Sequence, residues 1–99
     1  MYKIRGTIKN INTEEITSKS GDIYKKMLIT VEELDTGFHH THQFEIFGED
    51  NIKKNKDNIR EGWICEIDFY IKSNEWKGKY FNSLNIKSIK VENNLDNPF

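Results

Sequence analysis

The chain is short of staples: it has one cysteine, one proline and six glycines in 99 residues. Cys65 has no partner for a disulfide within the chain. Set in the alternating run ICEIDF, it reads as a small buried thiol. Apolar residues make up only 35%, which excludes a thick core and suits a small barrel whose strands bury one face. No apolar run is long enough to cross a membrane and no signal peptide is legible, so a soluble, cytosolic protein is expected. Arginine is scarce, with Arg5 and Arg60 the only two, whereas Lys, Asn and Ile are abundant, a composition typical of an AT-rich genome. Excess charge is missing too. The net is −1, and the last eight residues hold two acids, Glu92 and Asp96, and no base, so the remainder carries +1. A positive field over the whole molecule is excluded, and any polyanion site must be a local patch.

Catalytic motifs are equally absent. There is no nucleophile elbow, no phosphate-cradling glycine loop and no paired Cys-x-x-Cys, so neither an enzyme nor a cofactor is expected. The run HHTH places His40 and His42 on one strand face, where two imidazoles could share a metal ion. Zinc requires further ligands in fixed geometry, and Cys65 belongs to a different, buried pattern. The histidines are read as surface polar groups or as partly cationic neighbours of phosphate, and no metal site is assigned.

What is present is alternation. Residues 3–11 put Ile4, Gly6 and Ile8 on one face, and residues 23–33 do the same with Met27, Ile29 and Val31. Between them, TSKSGD (17–22) is turn chemistry, with Gly21 free to take a positive φ. LDTG (34–37) predicts a hairpin turn, and 38–48 a third strand with Phe44 and Ile46 inward. Residues 49–62 open on acids and space Ile52 and Ile59 two turns apart, which predicts a helix. A fourth strand follows over 63–73, a glycine-centred turn over 74–80 and a fifth strand over 80–92. There Leu84 and Ile86 are out of phase with Ile89 and Val91, which predicts a bulge near Lys87–Ser88. Three strands, a short helix and two strands make an all-β, five-stranded Greek-key barrel of the OB type, with the helix between strands three and four. The domain is expected over residues 1–92, followed by a short acidic Pro-Phe tip over 93–99.

Two Trp, four Tyr and six Phe are generous for so small a core. Phe44, Trp63 and Phe69 are assigned to it. Others stand beside lysines: Tyr24 with Lys25 and Lys26, Tyr70 with Lys72, and Trp76 with Lys77, Lys79 and Tyr80. Flat faces on which unpaired bases stack, interleaved with cations for the phosphates, are what single-stranded nucleic acid requires. Tyr24 and Tyr80 have an equally good use as cross-strand partners. Trp76, read as sitting at a polar loop tip, has no such use and is the foremost candidate. Stacking does not tell DNA from RNA.

The elements Tyr24-Lys25-Lys26, Phe44-Glu45-Ile46-Phe47-Gly48 and Glu75-Trp76-Lys77-Gly78-Lys79-Tyr80-Phe81 resemble a short subfamily of small OB-fold single-stranded DNA-binding proteins of bacteria and phages, once described only as a domain of unknown function. The likeness runs over about residues 2–92. The ending is similar to the acidic tip of bacterial single-stranded DNA-binding proteins, with Asp96, Pro98 and Phe99 matching it. The resemblance implies a protein that coats single strands during replication, recombination or repair in a bacterial cytosol or phage-infected cell, and recruits partners through that tip. One Asp where the family has several, and a tether of a few residues, imply a weaker hook that could equally bind its own barrel or a neighbouring subunit. The competing expectation is an OB-fold interaction module, an accessory subunit of a replication complex. Dimers or tetramers are compatible with the short groove of one barrel.

Overall fold

In the computed structural model, which describes residues 1–92, this alternation becomes five strands and one helix. They are β1 (Tyr2–Thr17), β2 (Ile23–Glu33), β3 (Thr41–Phe47), α1 (Glu49–Lys56), β4 (Ile64–Trp76) and β5 (Lys79–Val91). The strands close in the order β1-β2-β3-β5-β4, with β4 returning to β1. All neighbours are antiparallel except β3 and β5, which touch in parallel through Phe44↔Leu84 and Glu45↔Asn85. The expected five-stranded OB-type barrel, with its helix between β3 and β4, is therefore present. The expected tip, with Asp96, Pro98 and Phe99, lies outside the described residues.

Inward residues of each strand form the core: Ile8, Met27, Ile29, Val31, Phe44, Ile46, Cys65 and Ile67 are almost fully buried. Ile52 of α1 and Ile59 just beyond it close one end of the barrel. Phe69 meets Phe44 edge-on, with ring centroids 5.0 Å apart, and Trp63 packs against the same cluster. Burial pushes the Cys65 thiol up to about 11, as expected of a structural rather than a reactive cysteine.

Three boundaries before β4 differ from those predicted. β1 runs six residues past Ile11, because the polar segment through Thr17 still pairs with β2, from Asn12↔Leu28 to Thr17↔Ile23. A ladder exposed on both faces needs no apolar alternation, which hid it from the pattern. β3 begins at Thr41, not Phe38, since Asp35, Gly37 and His39 all take positive φ and break the extended chain. α1 stops at Lys56, where Asn58 folds back on the last turn: its side-chain amide donates to the Lys54 carbonyl and its backbone N–H to that of Asn55. Ile59 reaches the core from the following loop instead.

The expected bulge is present. Asp68 pairs with Ser88 and Phe69 with Ile86, so Lys87 is the extra residue on β5. A second irregularity, at Lys9, lets β1 bend between its two partners. Three residues earlier, Gly6 pairs with Glu33 on one side and with Cys65 on the other. A Cβ on Gly6 would collide with the Glu32 carbonyl and stand 2.5 Å from Val31 Cγ1. Next to it, Arg5 holds Glu92 at the end of β5 with a two-pronged ion pair and reaches Asp35 of the β2–β3 loop at 2.8 Å. The guanidinium keeps the Glu92 carboxyl below the usual carboxylate range.

Gly6→Val is expected to cost about 1–3 kcal/mol or more, from overpacking against backbone, read as a lower urea midpoint. Arg5→Gln is expected to melt below wild type at pH 7. Because the folded Glu92 pKa is depressed, its contribution is lost as pH falls through that value, so the gap in Tm should close in acid. A gap unchanged from pH 7 to pH 3 would refute this role for Arg5.

Candidate functional site

The distal half of β4 and β5 leaves the barrel as a two-stranded ribbon, from Tyr70↔Asn85 to Trp76↔Lys79. Its turn has only two residues, Lys77 and Gly78, with φ of 51° and 78°. Both being left-handed identifies a type I′ turn, whose twist matches the ribbon's and which favours glycine at the second position. Trp76 is thus the last residue of a strand, directly opposite Lys79, and not the loop-tip residue predicted. The residue is 59% exposed, with the Lys77 ammonium 5.3 Å from the ring centroid.

Strand register sorts the candidate residues by face. Side chains directly opposite on paired strands share a face, and alternate residues switch. Tyr70, Lys72 and Trp76 of β4 therefore stand with Lys79, Phe81 and Asn85 of β5. Through Glu45↔Asn85 and Lys26↔Phe47 that face continues onto Glu45 and Phe47 of β3 and onto Tyr24 and Lys26 of β2. Tyr24 and Phe47 already touch, with ring centroids 6.2 Å apart. Five exposed aromatics (Tyr24, Phe47, Tyr70, Phe81 and Trp76) thus share one outer face across four strands. Tyr80 and Lys25 have the opposite parity. Tyr80 stands opposite Glu75 on the far side of the ribbon, and Lys25 opposite Glu15.

The cations on this face are not equivalent. Lys26 is half-buried against Glu45, 3.7 Å away. Lys72 and Lys79 have no ion pair among the described residues, and Lys77 covers Trp76. Pattern reading did not single out Phe47, Phe81 or Lys87 as candidates. Phe47 was legible, since placing Phe44 and Ile46 inward turns Phe47 outward. Phe81 needed the β4–β5 register, which hangs on the two-residue turn. Lys87 needed the bulge to be read as a device that re-aims a side chain. With it, a cleft of about 530 Å³ opens between Glu45, Phe47, Tyr70, Asn85, Lys87 and the helix residues Asn51 and Asn55.

The histidines do not converge on a metal. His40 stacks on Phe38, and His42 Nε2 lies 3.2 Å from Glu33, holding that carboxyl below its ordinary range. Among the described residues no three potential ligands cluster. A second, more apolar cleft of about 700 Å³ lies at the other end of the barrel, where Tyr2 stacks on Phe69 beside Ile71 and Leu84.

A family model described as "Domain of unknown function (DUF3127)" matches residues 3–92. No curated protein matches the sequence. Among solved structures, the chain is similar to the mitochondrial single-stranded DNA binding protein Rim1 from S. cerevisiae, at 20% identity and a TM-score of 0.63 over 91% of both chains. A second crystal form of Rim1 gives 22% and 0.61, over 91% of this chain and 90% of that one. The small single-stranded DNA-binding protein from Streptomyces coelicolor is similar at 9% identity and a TM-score of 0.50 over 92% of each chain. At these identities the likeness establishes a shared fold.

Gly78→Val is expected to strain the turn and fray the ribbon. Hydrogen exchange at Trp76 and Lys79 should quicken while Ile29 in the core stays protected. Unchanged exchange at the ribbon tip would contradict the type I′ assignment.

Proposed function

The chain belongs to the DUF3127 family, and from that premise we propose that it is a non-enzymatic protein that binds single-stranded DNA with little sequence preference. The observation that carries this reading is the face on which Tyr24, Phe47, Tyr70, Phe81 and Trp76 stand together with Lys72, Lys79 and Lys87. Exposed aromatics gain nothing from water, whereas an unpaired base laid on one is held by roughly 1–3 kcal/mol. The intervening ammonium groups meet the phosphates. Duplex DNA hides its base faces and offers this surface only its phosphates. The solved structures of the same fold are named for binding single strands and not for a reaction, in line with the absence of catalytic motifs. Coating of strands exposed in replication, recombination or repair, with recruitment of other proteins through Asp96, Pro98 and Phe99, completes the proposal.

A second reading, an OB-fold interaction module, is favoured by the apolar cleft around Tyr2, Phe69 and Ile71, which lies away from the aromatic face. The two readings separate by mutation. Trp76→Ala or Phe81→Ala should weaken binding of labelled oligo-dT by about 5–150-fold, the equivalent of one lost stack, while Tyr80→Ala on the far side leaves it unchanged. Deleting residues 95–99 should remove protein docking and spare DNA affinity. Parallel titrations with duplex and RNA define the ligand. Equal affinity for duplex and single strands would defeat the proposal.

Affinity should also fall only gently with added salt, because the face offers only a handful of cations on a chain of net charge −1. A log–log slope as steep as that of a strongly basic protein would show that stacking is not the main term.

A further inference from the structure

The cleft beside Phe47 and Tyr70 differs chemically from the rest of the aromatic face, because beside the cations of Lys87 and the Met1 terminus it gathers acceptors that have no donor of their own. Glu45 carries a carboxylate, whose lone pairs outnumber its single contact with Lys26. Asn85 is 8% exposed. Its amide nitrogen donates to Ser83 Oγ at 3.1 Å, and its Oδ1 accepts no hydrogen bond among the described residues. Asn51 and Asn55, on the helix side, have also committed their amide nitrogens, to the carbonyls of Phe47 and Asn51. A buried acceptor left without a donor is costly in a folded protein and calls for a partner from outside.

Resting on the proposed binding of single-stranded DNA, we infer that this cleft reads the edge of one base and selects bases that present an exocyclic amino group, cytosine above thymine. The two aromatics supply the stacking surface. Glu45 and Asn85 supply acceptors for the cytosine N4 amino group, the pairing by which carboxylates recognise cytosine. Thymine turns a carbonyl oxygen toward the same acceptors, and the lone pairs repel. Lys87, placed at the cleft by the bulge in β5, provides the cation for the adjoining phosphate. The remainder of the face, built from Tyr24, Phe81 and Trp76, offers flat rings and no comparable edge. The protein is therefore tolerant along most of its track and selective at one position.

The test compares oligo-dC with oligo-dT of equal length at pH 7.5, binding to the full chain, to Glu45→Gln and to Trp76→Ala. Wild type should bind oligo-dC about five- to tenfold more tightly. Glu45→Gln removes a negative charge and introduces a donor, so both affinities should rise while the dC preference shrinks toward one. Trp76→Ala should weaken both and leave the ratio alone. Equal wild-type affinities, or a Glu45→Gln protein that keeps the wild-type ratio, would overturn base reading and leave single-strand binding standing. Failure of wild type to bind either oligonucleotide would overturn the proposed function and the inference with it.

Discussion

Closure of the barrel turns on one crowded point, Gly6 of β1, where a single strand must pair on both edges at once. Glu33 and Cys65 face it from opposite sides, and the Glu32 carbonyl fills the space where a side chain would be. Glycine is required there by the close approach of backbone. Before Gly6 β1 pairs with β4 alone and after Thr7 with β2 alone, and the short parallel contact of β3 with β5 at Phe44–Leu84 seals the far side. Arg5 fastens the same seam from outside by joining β1 to the end of β5 and to the β2–β3 loop. The strands that carry the candidate site are thus positioned by a residue that has no side chain.

Beyond the barrel the same chain behaves differently. Inside, alternation is enforced by burial: a slip of one residue would put Ile29 or Ile67 into water. On the β4–β5 ribbon both faces are exposed, and register is held by the type I′ turn and by the barrel at its base. The ribbon can therefore present two unlike surfaces, an aromatic and cationic one through Trp76 and Phe81 and a mixed one through Tyr80 and Glu75. The bulge at Lys87 divides these regimes, since it restores the inward phase of Ile89 after Leu84 and Ile86.

How much of this was legible follows from the same physics. Buried alternation is written in the sequence, so the five strands, their order around the helix, the core residues Phe44 and Ile67 and even the β5 bulge could be read from it. Exposed ladders leave no such trace, which is why the outer half of β1 went unseen and Trp76 was placed in a loop. Helix length was misjudged because Ile59 imitates a second helical turn while reaching the core from a loop. Of the candidate site, the aromatic–lysine pairs were visible as neighbours along the chain. Their division between faces was not, since Tyr80 and Trp76 look alike until the turn length fixes which strand positions oppose each other. The cleft at Glu45 and Asn85 joins β3 to β5 through a parallel contact between residues forty positions apart in the chain, which no local pattern encodes.

The ion pairs scattered over the barrel have a kinetic consequence. Lys3 lies near Glu66 and Asp68, Lys9 near Glu32, Lys26 near Glu45 and Lys53 near Glu49, and over the whole chain acids outnumber bases to leave a net charge of −1. A polyanion approaching this surface feels no field that would draw it in from beyond the Debye length of about 8 Å at physiological ionic strength. Encounters then proceed at the unsteered, orientation-limited rate of roughly 10⁵–10⁷ M⁻¹s⁻¹. On the proposed function, strands would be captured in proportion to the protein's abundance and held by how slowly the stacked bases leave the rings.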